Sequence, residues 1–365
     1  MTTQATQPTH THRSPAMSPF SRRALLLAAT GALTALTATA CGFGGSESAG
    51  STDASGKTVV RIAYQAIPNA DLVVKNQRLL EKALPDVSVK WVKFDSGGDV
   101  NTAVIAGSVD LGLAGSSPVT KGLSAPLNIP YKVLWIHDLI GDNEALVAKK
   151  GINGVKDLAG KKVATPFGST SHYSLLAALK SAGVPADKVQ VLDLQPQDAL
   201  AAWKRGDIDA AYVWTPTLDE LTKDGKILTT SRQVADAGKP TADLGIVTDA
   251  FAKEHPEVVT AWLKAQDQAV KQAKSDPAKA AASIGKELNV SPADAQRQLK
   301  QLVLLTAKEQ TGADYLGRPG APGKLAANLR DAAGFLKGQK AVDAVPPLAD
   351  FQKALAVEEL NRAAG

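Results

Sequence analysis

Two loops in the 365-residue chain gather hydroxyls just ahead of helical sequence, Gly115-Ser116-Ser117-Pro118 and Gly168-Ser169-Thr170-Ser171-His172. In the first, Ser117 reads as an N-cap with Pro118 at the first helical position, and the second leads into Leu175-Leu176-Ala177-Ala178-Leu179. The open backbone N–H groups of a helix start can hold an anion without any Lys or Arg. Such caps also serve ordinary helices, so either loop alone fits both roles; a pair, one in each half of the chain, favours a ligand. Carboxylates supply the opposite charge. Glu144 in Asn143-Glu144-Ala145-Leu146-Val147 and Asp243 in Ala242-Asp243-Leu244-Gly245-Ile246 each open an apolar strand where the chain is expected to cross between lobes. An acid there attracts a cation if it faces a cleft, or is simply solvated if it does not. Asp95, in Phe94-Asp95-Ser96-Gly97, reads as an N-cap within reach of a ligand. Tyr212 and Trp214 share one strand face; Trp214, followed by Thr215-Pro216, is either a cleft wall or core, while Tyr212 reads as core.

Other chemistries leave no trace in the sequence. It has no G-x-S-x-G elbow, no G-x-x-x-x-G-K-[ST] phosphate loop, no G-x-G-x-x-G and no H-E-x-x-H. His137, His172 and His255 lack metal-ligand spacing, and a single cysteine excludes a disulfide framework or a thiolate cluster. No catalysis, cofactor or metal is therefore expected, although Ser171 or Ser174 with His172 is the combination a hydrolytic alternative would use. A structural or signalling surface lipoprotein with an empty cleft is the other alternative.

The elements that must position these groups alternate. Thr58 to Tyr64 and Val87 to Phe94 have strand periodicity around a helix over Leu72 to Leu84. A helix over 100–106 and strands over 110–114 and 132–136 follow. The same order restarts with a strand over 161–165, a helix over 171–180 and a strand over 189–192. Such alternation predicts an α/β fold of mostly parallel sheets covered by helices, with ligands outside the carboxyl ends of the strands. An internal echo supports two related lobes: Ala106-Gly107-Ser108-Val109-Asp110-Leu111 leads to Pro118 much as Arg205-Gly206-Asp207-Ile208-Asp209-Ala210 leads to Pro216. After Pro256 the chain reads as helices over 257–274, 277–288, 292–304, 324–336 and 348–360, expected to pack on the first lobe. The predicted division is 58–143 plus 244–365 for lobe I and 144–243 for lobe II.

The N-terminus reads as an export label. Ser21-Arg22-Arg23 precedes an uncharged run from Ala24 to Ala40, and Cys41 follows small residues. This resembles a bacterial lipoprotein signal of the twin-arginine type over 1–40, cut before Cys41, which would then carry the lipid. The Gly/Ser-rich stretch 41–57 is expected to tether the folded part to the outer face of the plasma membrane. Three of the 41 basic residues, Arg13, Arg22 and Arg23, lie in the first forty with no acid among them, so the net charge of +5 falls to +2 for the rest. The near-neutral body gives no reason to expect a nucleic-acid partner.

The stretches Lys93-Phe94-Asp95-Ser96-Gly97, Gly115-Ser116-Ser117-Pro118, Asn143-Glu144-Ala145-Leu146-Val147, Ser171-His172-Tyr173-Ser174-Leu175-Leu176-Ala177-Ala178-Leu179-Lys180, Leu194-Gln195-Pro196 and Ala201-Ala202-Trp203-Lys204-Arg205-Gly206-Asp207-Ile208-Asp209 resemble the taurine-binding receptors of bacterial ABC importers. The likeness runs in order from Ala63-Tyr64-Gln65 to His255-Pro256. It implies a two-lobed periplasmic-binding-protein fold, type II-like, with two crossover strands at the hinge and extra C-terminal helices. The implied role is a monomeric receptor that delivers taurine to a permease driven by a cytoplasmic ATPase; other alkanesulfonates, nitrate or a pyrimidine precursor are the alternative cargoes. The implied ligand residues are Gln65, Asp95, Ser116, Ser117, Glu144, Ser169, Thr170, Ser171, His172, Trp214 and Asp243. The sulfonate would meet amides and hydroxyls, the ammonium Glu144 and Asp243, with Trp214 as a wall. Two positions depart from the family: Asn69 replaces an acid, and Gly245 replaces an aromatic, which predicts a wider pocket.

Overall fold

A computed structural model describes residues 52–365, so the expected signal segment 1–40, Cys41 and the tether as far as residue 51 lie outside the described residues. The last part of the expected tether is built into the fold. Thr52 bridges to Thr58, and Asp53 accepts hydrogen bonds from the backbone N–H groups of Ser55 and Lys57.

The strands of the two main sheets are Thr58–Tyr64 (β1), Val87–Lys93 (β2), Leu111–Gly115 (β3), Tyr131–Leu139 (β4), Glu144–Ala148 (β5), Lys162–Thr165 (β6), Gln190–Asp193 (β7), Ala210–Trp214 (β8), Lys226–Thr230 (β9) and Ala242–Thr248 (β10). They form two five-stranded sheets ordered β2-β1-β3-β10-β4 and β7-β6-β8-β5-β9. The two orders correspond position by position. In each, the first three strands are parallel, and the fourth, which enters from the other sheet, is antiparallel to both neighbours. The sheets are thus mixed. β5 and β10 each lie wholly in one sheet, so the crossings are the short connections 140–143 and 237–241 rather than crossover strands.

The sequence echo has a structural cause. Asp110 and Asp209 each precede the third strand of a sheet, and each carboxylate accepts a backbone N–H from the neighbouring strand: Arg61 at 2.8 Å and Lys162 at 2.8 Å. In the first lobe the tie is stronger, because the buried Arg61 guanidinium also pairs with Asp110 at 2.6 Å.

Helix limits follow local signals. Pro256–Ser275, Pro277–Leu288 and Pro292–Leu299 each start with proline, whose missing N–H costs nothing in a first turn. Three expected helices are interrupted. The 72–84 segment breaks at Arg78, whose φ of 54° is left-handed. The 292–304 helix stops at Leu299, and Val303 then bridges to Leu139 on the edge of β4. The 348–360 helix splits where Ala356 donates its N–H to Val133. Most of the buried apolar residues of the C-terminal extension join the first lobe's core, including Trp262, Leu263, Leu329 and Phe351. Contrary to expectation the extension also grips the second lobe: Phe335 packs edge-on to Tyr173 with centroids 4.6 Å apart, Asp331 pairs with Lys239, and Arg297 pairs with Asp219.

Candidate functional site

The helices Gly97–Ile105, Ser116–Gly122 and Thr170–Ser181 begin around one small cavity between the lobes. Gln65, Ile67, Gly97, Gly115 and Pro118 line it from the first lobe, as does Asp243, which β10 carries in the first sheet rather than in the predicted 144–243 lobe; Glu144, Ser169, Thr170 and Trp214 line it from the second, with Ile140 and Asn143 of the crossing between. No Lys, Arg or His is among them. Its volume is about 20 Å³, the space of a water molecule, so the lobes must part to admit a solute. They touch closely: Ser117 Oγ donates to the Gly168 carbonyl at 3.1 Å, and a Cβ at Gly115 would lie 2.7 Å from Thr170 Cγ2. Only glycine permits that approach.

The acids dominate the electrostatics. Asp243 of β10, Asp138 of β4 and Glu144 of β5 are all buried. Asp138 and Asp243 are cross-strand partners in the antiparallel β4–β10 pair. Their hydrogen bonds come from neutral groups: Asn69 Nδ2 to Asp138 at 3.0 Å, and Thr170 and Ser231 hydroxyls to Glu144 at 2.6 and 2.7 Å. Burial raises all three carboxyls. It pushes Asp138 up to about 7, with the Glu144 charge adding to the rise; Asp243 stands well above the carboxylate range through burial and the charges of Asp138 and Glu144; Glu144 is raised by burial and restrained by its hydroxyl donors.

The six expected residues Gln65, Glu144, Ser169, Thr170, Trp214 and Asp243 meet at this cavity. Gln65 is oriented by its Nε2 bond to Leu113 O, and Trp214 packs against Ile67 and Leu113 across the lobes. Tyr212 is core, its hydroxyl on Ser231. Ser169 caps its helix by accepting the His172 N–H, and Ser171 is buried in the first turn beside Glu144. Other expectations fail locally. Asp95 is exposed and is not the cap; Ser96 accepts the Asp99 N–H instead. Ser117 is not an N-cap, because Gly115 holds that position and Pro118 lies in the third helical position. Ser116 and Ser117 line a neighbouring cavity of about 190 Å³ with Tyr173 and Thr241. His172 points away, stacked on Phe167 at 4.7 Å, its Nδ1 accepting the Gly168 N–H.

Gly245 does not widen the pocket. A Cβ there would lie 2.6 Å from the Trp262 ring and 3.2 Å from His137 Nε2, so the C-terminal helix fills the space. Gly245→Ala is expected to cost about 1–3 kcal/mol through overpacking, read as a lowered denaturant midpoint. Asp138, Asn143 and Ser231 do not stand out in the sequence, and Asn69 does so only as a departure from the family; only the strand register brings Asp138 opposite Asp243.

The buried titratable groups also set a pH dependence. Asp71, pushed up to about 7 by burial, joins Asp138, Asp243 and Glu144 in taking up protons on folding. A raised carboxyl loses stability as pH climbs from its unfolded value near 4 through the folded one. His137, lowered to about 3 by burial, and the lowered His172 act in the opposite direction below the ordinary histidine range. Four carboxyls outweigh two imidazoles, so the ligand-free protein should have a higher urea midpoint at pH 5 than at pH 8; a higher midpoint at pH 8 would contradict these shifts.

Comparison with known proteins gives the family. The model described as NMT1/THI5 like matches residues 85–280, more than half of the chain. The taurine-binding periplasmic protein of Escherichia coli (strain K12) is 39% identical over 292 residues, covering 78% of this chain and 88% of that protein. Among solved structures, the alkanesulfonate-binding protein SsuA from Xanthomonas axonopodis pv. citri bound to MOPS is similar with TM-score 0.65 and 22% identity, over 81% of this chain and 97% of that one. The desulfurization enzyme DSZB shares the fold with TM-score 0.58 and 17% identity, over 84% of this chain and 98% of its own, so the architecture alone does not separate binding from catalysis. Together, the two corresponding sheets and the family match identify the chain as a member of the NMT1/THI5-like family with the two-lobed periplasmic-binding-protein fold.

Proposed function

We propose that this protein is an extracytoplasmic solute receptor that takes taurine, or a closely related aminosulfonate, between its lobes and hands it to an ABC permease driven by a cytoplasmic ATPase. One observation carries the reading: buried carboxyls without basic partners stand around a cavity on which helix starts converge. Acids in that setting suit a cation, and helix starts suit an anion. Taurine has both charges two carbons apart. Its sulfonate accepts from the first-turn amides of Thr170 and Ser171, and its ammonium is met by Glu144 and Asp243 with Trp214 as the wall. Gln65 adds a neutral polar contact. The likeness to the taurine-binding periplasmic protein supports the same solute. Closure around it makes the shape a permease recognises, so uptake and delivery are linked through one hinge motion. Lipid attachment at Cys41 after twin-arginine export would hold the receptor, as a monomer, at the outer face of the plasma membrane.

A screen of thermal stability tests the assignment. Taurine at 100 times its dissociation constant is expected to stabilise by about 2.7 kcal/mol. A panel in which nitrate or a pyrimidine precursor shifts the melting temperature and taurine does not would replace this reading. Bulkier alkanesulfonates are a second reading, favoured by the solved neighbour that holds MOPS.

A further inference from the structure

We propose that Asp138 makes binding proton-linked: it stores, with Asp243, a proton that leaves for solvent when an ammonium group enters the cleft. The inference rests on the receptor reading above. Asp138 does not line the cavity; it stands behind Asp243, its partner across the antiparallel β4–β10 pair, and is fully buried. One carboxylate oxygen accepts from Asn69 Nδ2 at 3.0 Å, while Oδ1 has no hydrogen-bond partner. A buried carboxylate oxygen left in this way is costly when ionised and suits the protonated acid.

The surroundings offer no other charge to balance it. The groups that act on it are Asp243 from β10 and Glu144 from β5, both acids. Tyr212 of β8 is neutral and tied to Ser231. His137, next in the chain, packs against Trp262, and burial holds its imidazole neutral. Asp71, close to Asn69 in sequence, is turned to Gln266, whose Nε2 donates to it at 2.6 Å. Without a cation the pair therefore holds both protons and is neutral; with one bound it carries a single negative charge. When the cation is an ammonium that keeps its own proton, the acid O–H breaks and the proton passes to buffer, so that charge balances. Asp138 is thus a positioning residue, acting through Asp243, and the device favours amine-bearing solutes as pH rises.

Calorimetry with the full chain and taurine, in buffers of different ionisation enthalpy between pH 5.5 and 8.5, tests this. Wild type should release close to one proton per taurine at pH 6, and affinity should rise by up to about tenfold per pH unit before levelling above pH 7. Asp138→Asn keeps the shape and the bond from Asn69, and should remove most of the release and flatten the profile. Asn69→Ala, which removes the neutral donor to Asp138, should move the midpoint to higher pH, a shift that a merely structural role would not produce. Taurine binding with no proton exchange, or with the same exchange in Asp138→Asn, overturns this inference alone. Absence of taurine binding at every pH overturns the receptor reading and the inference with it.

Discussion

At pH 8, Asp243→Asn and Glu144→Gln should each weaken taurine binding by about 2–4 kcal/mol, or roughly 30-fold to 1,000-fold. Each exchange keeps the side-chain volume and removes a charge that has no other cation to face; the groups bonded to Glu144 are hydroxyls, which can also serve an amide. A second readout separates lost recognition from damage. Because burial raises both carboxyls, their ionised forms burden the ligand-free fold at alkaline pH, so the variants should be as stable as wild type or more so at pH 8. Calorimetry and urea unfolding on the same samples check both parts. Unchanged affinity would remove these acids from the site, and reduced affinity with a collapsed urea midpoint would make the loss structural.

The other large effect concerns the frame. Asp110→Ala is expected to cost about 3–5 kcal/mol, because it takes the carboxylate from a buried guanidinium and from a strand N–H at once. Asp209→Ala, at the equivalent place in the second sheet, removes only the side-chain acceptor of one backbone N–H and should cost about 1 kcal/mol. Equal midpoints for the two variants in urea would contradict the difference in burial between the lobes.

Much of this frame was legible because its signals are local. Strand alternation, proline at helix starts and the repeated Gly-x-x-Asp pattern are written in short stretches, and β1, β6 and the helix Thr170–Ser181 appear within a residue or two of expectation. Glu144 and Asp243 were legible for the same reason: each is an acid opening an apolar strand where the chain crosses. What escaped reading depends on register and distant packing. Asp138 sits inside the strand Tyr131–Leu139 and gains meaning only opposite Asp243. Gly245 suggested space because Trp262, from a helix beyond Pro256, is not near it in sequence. Asp95 lost its expected capping role to Ser96 one residue later, a choice between two adequate caps that sequence leaves open.

The central claim is that the cleft recognises a zwitterion, and titrating taurine against ethanesulfonate in the calorimeter addresses it most directly, since the two solutes share the sulfonate and differ in the ammonium. Taurine should bind at least 30-fold more tightly at pH 8, with the gap narrowing at pH 5.5 as the cleft acids hold their protons. Equal affinities at pH 8 would contradict the role of Glu144 and Asp243 and leave a receptor for the sulfonate alone.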